Sequence, residues 1–151
     1  MCSSDLLLSD FQVSIPEIGT IKARQVPFVV ITSNRTREVH DALKRRCLYH
    51  WIDYPDLEKE VEIVRARAPE AADGLAREVA ALVQGLRTME LYKVPGVAET
   101  LDWARSLAVL GATRIDAALV DATLGAALKY QEDLERIREQ VPAMVEKAQR
   151  A

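Results

Sequence analysis

The spacing of apolar residues changes character near residue 55. Before it, they come in short runs or alternate with polar ones; after it, they recur every three to four positions. Gln12-Val-Ser-Ile15 alternates, Pro16-Glu-Ile-Gly19 supplies a turn and Thr20-Ile-Lys-Ala-Arg24 alternates again, which predicts a hairpin over 11–25. Pro27 opens Phe28-Val-Val-Ile-Thr32, a β-branched run without polar alternation that suits a strand buried on both faces of a parallel sheet. Asn34-Arg-Thr-Arg37 reads as a polar loop and Glu38–Arg46 as a short helix. Leu48-Tyr-His-Trp-Ile52 reads as a second buried strand, closed by Asp53-Tyr-Pro55. Hairpin, strand, helix, strand is a piece of an α/β sheet.

From Asp56 the pattern is helical. Asp56 is the expected N-cap of a helix with Leu57, Val61, Ile63 and Val64 on its apolar stripe. Ala71–Met89 follows with Leu75, Val79, Leu82, Val83 and Leu86 in helical register. Pro95-Gly96 breaks it, and Val97–Leu110 begins another helix ended by Gly111. Asp116 caps a helix through Leu128, and Tyr130–Ala148 makes a last charged one that Pro142 breaks near Gln140. The predicted fold class is therefore a partial α/β core, with a hairpin, two parallel strands and short helices, followed by an all-α bundle. The predicted domains are 7–55 and 56–151. Residues 1–6 read as a non-native start, because Cys2-Ser-Ser-Asp-Leu6 matches what a common sequencing adapter encodes.

Composition narrows the class without changing this layout. The 151 residues are 49% hydrophobic and 28% charged with a net charge of −3, typical of a globular chain and unlike the basic footprint of a nucleic-acid-binding domain. Cys2 and Cys47 are far apart, and His40 and His50 lack ligand-spaced partners, so neither a disulfide framework nor a metal site is expected. No apolar run approaches the ~18 residues of a membrane span, and no signal peptide is evident. A cytoplasmic, reduced setting is the expectation. Cys47 reads as a small buried hydrophobe, Trp51 and Trp103 as packing residues, and Lys93 as part of a loop. Glu58–Glu62 and Gln131–Glu139 read as solvated helix faces.

Two features suggest chemistry. An apolar run ends on Ser33-Asn34, and a short helical segment ends on Arg45-Arg46. An NTPase uses such groups: a polar side chain at a strand tip orients a water, and a cation meets developing phosphate charge. Structural roles fit the same residues, since Asn caps turns and Arg is favoured at helix C-termini by about 0.3–1 kcal/mol. The chain has no G-x-x-x-x-G-K-[ST] and no apolar run ending in Asp-Glu, so a phosphate cradle and a magnesium ligand are missing.

The order hairpin, Val-Val-Ile-Thr-Ser-Asn34, Ala42-Leu-Lys-Arg-Arg-Cys47, buried strand and helical lid resembles the second half of an AAA+ ATPase. More narrowly it is similar to the MoxR group, including the ATPases tied to maturation of carbon monoxide dehydrogenase-type molybdenum enzymes. Ser9-Asp-Phe-Gln-Val13, Arg35-Thr-Arg37, Cys47-Leu-Tyr-His-Trp-Ile-Asp-Tyr-Pro55 and Tyr92-Lys-Val-Pro-Gly-Val-Ala-Glu-Thr-Leu-Asp-Trp103 carry the likeness, which spans roughly residues 7–140. The resemblance implies that Asn34 is sensor 1 and that Arg46 is an arginine finger acting in trans, with Arg45 as its substitute or partner. It departs from the family at the lid: where a Gly-x-Ser-Pro-Arg segment is usual, this chain has Pro95-Gly-Val-Ala-Glu-Thr100, leaving Arg105 as a weak sensor 2 candidate.

The resemblance further implies ATP and Mg²⁺ as cofactors of an intact parent and a homo-oligomeric, hexameric ring. It also implies a client protein engaged with a von Willebrand factor A-type adaptor, and chaperone-like remodelling or metal-cofactor maturation of that client. This chain alone is expected to be inactive. A non-enzymatic helical interaction module, or a clamp-loader-like DNA-associated ATPase, are the alternative readings. The chain is expected to aggregate or to stay partly molten over residues 1–55, with apolar strand edges exposed, while 56–140 folds alone.

Overall fold

The computed structural model describes residues 11–33 and 41–151. The chain divides between Ile52 and Asp53 into two compact units.

In the first unit, β1 (Gln12–Ile15) and β2 (Gly19–Lys22) form an antiparallel hairpin with Gln12 opposite Lys22 and Ile15 opposite Gly19. Ile18 N–H closes the turn on Ile15 C=O at 3.1 Å, and Gly19 takes φ +89°, a conformation a side chain would strain. Ser14 and Thr20 pair their hydroxyls across the strands at 2.9 Å. A single helical turn, α1 (Asp41–Lys44), follows later.

The expected parallel strands are not there. The only sheet among the described residues is the antiparallel hairpin, and neither 28–32 nor 48–52 forms a strand. Their apolar side chains are exposed, Phe28 at 94% and Ile52 at 83%. The physical reason is that a strand apolar on both faces is stabilised by flanking strands and covering helices, not by its own composition. Cys47, expected inside, is exposed for the same reason, and Trp51 is 56% exposed.

The second unit is entirely helical: α2 (Leu57–Arg67), α3 (Asp73–Arg87), α4 (Val97–Val109), α5 (Ala117–Thr123) running into a 3₁₀ turn at Leu124–Ala126, α6 (Gln131–Arg138) and α7 (Val141–Gln149). Asp56 caps α2, its Oδ1 accepting from Lys59 N–H at 2.8 Å, and Asp116 caps α5 through Leu119 N–H at 2.8 Å. Gly111 ends α4 at φ +77°. Its N–H reaches Ala108 C=O and the Ala112 N–H reaches Leu107 C=O, the paired bonds that close a helix on a left-handed residue. The last helix divides at Gln140, with Pro142 in the first turn of α7, where its missing N–H costs nothing.

α3 lies at the centre, packed on α2, α4 and α7. Its stripe of Leu75, Val79, Leu82, Val83 and Leu86 is buried. Around it Val64, Trp103, Leu107, Leu124, Leu128, Ile137 and Val141 complete one core. Trp103 is fully enclosed and donates from Nε1 to Thr123 Oγ1 at 2.9 Å, so its one polar atom is satisfied. Among the described residues no helix is long and apolar enough to cross a membrane.

Candidate functional site

Asn34 lies outside the described residues. Arg45 and Arg46 sit on the turn that terminates α1: Arg45 N–H bonds Asp41 C=O at 3.1 Å, Arg46 N–H bonds Leu43 C=O at 3.0 Å and Cys47 N–H bonds Lys44 C=O at 3.4 Å. Tightening the last turn in this way places two successive arginines at exposed positions. Such a pair is chemically suited to an anionic oxygen.

Arg105 belongs to the other unit and binds groups of its own neighbourhood. Its Nη2 donates to Arg67 C=O at 2.6 Å, closing the C-terminus of α2, and its Nε and Nη1 lie 3.6 Å and 3.9 Å from Glu70 and Asp102 carboxylates. The stretch Pro95–Thr100 forms the entry to α4. There Glu99 Oε2 accepts from Gly96 N–H at 3.0 Å, and Lys93 Nζ stands 3.7 Å from Glu99 Oε1. The Glu99 carboxylate therefore serves as a helix cap.

The strongest polar constellation was not anticipated. Glu60, read as part of a solvated charge run, is fully buried. Arg87 grips it twice, Nη1 to Oε2 at 2.6 Å and Nη2 to Oε1 at 2.7 Å, from a side chain only 6% exposed. Thr100 Oγ1 donates to Glu60 Oε1 at 2.7 Å, and Gln84 Nε2 donates to Oε2 at 2.8 Å. Asp133 in the other supposed solvated run is also buried and accepts from Tyr92 N–H and Lys93 N–H at 2.9 Å and 3.3 Å. Glu78, buried too, accepts from Arg114 Nε at 2.7 Å and Ile115 N–H at 2.8 Å.

A shared signal could have found all three. Glu60 lies three residues after Leu57, Glu78 three after Leu75, and Asp133 four before Ile137, so each carboxylate stands on an apolar stripe. Charge on a stripe calls for a buried partner, because an unpaired carboxylate there would be neutralised or expelled. Among the described residues no buried side-chain polar atom is left without a hydrogen bond. The carboxylates are thus spoken for, and none is a spare acid or base.

Lys59 is held above the ordinary lysine range, chiefly by its hydrogen bond to Glu62 at 2.8 Å and then by that carboxylate's charge. It is an exposed pair on α2. Among the described residues no three His, Cys, Asp or Glu side chains gather as a metal site. No protein-family model, curated protein or solved structure matches the chain.

Proposed function

We propose that this chain is the sensor, finger and lid portion of a MoxR-type AAA+ ATPase, which couples ATP hydrolysis to remodelling or metal-cofactor maturation of a client protein. In this reading Asn34 aims the attacking water and Arg46, with Arg45 beside it, stabilises the transferring phosphoryl group of a neighbouring subunit. The observation that supports it best is the exposure of two β-type segments, Phe28–Ile31 and Leu48–Ile52, on either side of the exposed arginine pair. Segments of that composition fit the interior of a parallel sheet, and the reading supplies the missing sheet neighbours from a nucleotide-binding half. The phosphate loop, the magnesium ligand and hence turnover belong to that half.

A second reading, a non-enzymatic interaction module, draws on the self-contained core of residues 53–151, which needs no nucleotide domain to satisfy its buried groups. Reading the coding DNA upstream of residue 7 separates the two. An in-frame G-x-x-x-x-G-K-[ST] and an apolar strand ending in Asp-Glu favour the ATPase; a start codon with its ribosome site and no such motif favours the module. In the ATPase, Arg46→Ala is expected to lower kcat by roughly 10³–10⁵. Mixing Arg46→Ala subunits with subunits lacking the phosphate-loop lysine should restore part of the rate, because each supplies what the other lacks. Unchanged turnover in both Asn34→Ala and Arg46→Ala would remove the assigned roles.

A further inference from the structure

The Glu60–Arg87 cluster does more than bury two charges. Arg87 Nε donates to Pro95 C=O at 2.8 Å, while its guanidinium carbon stands 4.4 Å from the centre of the Tyr54 ring. Gln84 Nε2, besides binding Glu60, donates to Pro55 C=O at 2.8 Å. Thr100 Oγ1, which donates to Glu60, lies 3.1 Å from Gly96 C=O and 3.5 Å from Arg87 Nη2. One buried ion pair is therefore linked to two segments far apart in sequence: Tyr54–Pro55, where the chain enters the helical unit, through the Tyr54 ring and through Gln84, and Pro95–Gly96, the irregular stretch before α4, directly at Pro95 and through Thr100.

Stability is a poor reason for this arrangement. A buried ion pair replaced by apolar residues of similar volume is commonly neutral or stabilising, since desolvation offsets the attraction. Directionality is what apolar packing would not supply. The guanidinium offers a fixed fork of donors, and here its three nitrogens and one face are all in use. Neither segment can shift without breaking a hydrogen bond or moving the shared pair.

We propose that Glu60 and Arg87 form a conformational latch that couples the entry segment Tyr54–Pro55 to the Pro95–Gly96 segment, so that displacement of one is transmitted to the other. The inference stands on residues 53–151 alone and does not depend on the ATPase reading. These are positioning residues, with no reacting group among them.

The test perturbs one side and reads the other, by amide hydrogen exchange on the whole chain. Tyr54→Leu and Gln84→Leu loosen the entry side; the probes on the far side are Gly96 N–H, held by Glu99, and Thr100 N–H, held by Gly96 C=O. The latch predicts about tenfold faster exchange at those two amides, within the range typical of coupling between sites, while the α7 amide of Met144 stays unchanged. Thr100→Val, made from the far side, should in turn accelerate Lys59 N–H and Glu60 N–H, which Asp56 holds. Tyr54→Leu alters an exposed ring, so it gives a readable result even if Gln84→Leu does not fold. Acceleration confined to the mutated side, or spread equally into α7, would overturn the proposal.

Discussion

The two halves of the chain hold similar aliphatic residues and treat them oppositely. Val61, Val64, Val79 and Val83 are buried, whereas Val26, Val30 and Ile31 are exposed. The difference lies in who supplies the partner. A helix satisfies its own backbone and needs only one stripe covered, and α3 finds cover from α2, α4 and α7 within a hundred residues of chain. A doubly apolar strand needs neighbours on both edges and layers on both faces, and no such frame stands among the described residues of the first unit. The same hydrophobicity makes a self-sufficient bundle in one case and an unsatisfied surface in the other.

The largest blow to this contrast comes from the bundle's centre. Trp103→Ala should cost about 3–5 kcal/mol in denaturant unfolding of the helical unit, since a fully buried indole leaves a cavity that the surrounding helices fill only in part. Arg87→Ala is expected to cost a similar ~3–5 kcal/mol by leaving the Glu60 carboxylate buried without its cation. The double change Glu60→Met with Arg87→Met should recover most of that loss. If the double variant were as unstable as the single one, the cluster would owe its effect to shape and not to charge.

A smaller effect sharpens the comparison at its boundary. Asp56→Ala removes the cap that starts α2 and should lower stability by about 1 kcal/mol, read from the unfolding midpoint at unchanged slope. Smallest of all is Phe28→Ser, expected to shift stability by no more than about 0.5 kcal/mol while improving solubility, because the ring touches little. A loss above about 2 kcal/mol from that change would mean that the segment packs where the structure leaves it exposed.

Helix boundaries were legible because they rest on local chemistry. Asp56, Asp116 and Gly111 each act through bonds to residues within four positions, and Pro142 divides the last helix near the expected point. The hairpin was legible for the same reason, though β2 is shorter than the alternation suggested. Burial of 28–32 and 48–52 was not legible, since burial of a strand is a property of its neighbours. The charged positions misled in a different way. Glu58, Glu60 and Glu62 look alike in sequence, and only Glu60 falls on the stripe, facing Arg87 some 27 residues away. At the candidate site, Arg45 and Arg46 were expected as the end of a helix over Glu38–Arg46; the described helix spans Asp41–Lys44, and both arginines lie on the turn after it.

Limited proteolysis of the whole chain, with the cut sites identified by mass, tests the contrast most directly. The account predicts rapid cleavage between Arg24 and Asp53 and a resistant fragment beginning near residues 53–56 and ending close to Gln149. A resistant fragment that retained 28–52 would contradict it. The apolar segments would then be packed within this chain and not exposed.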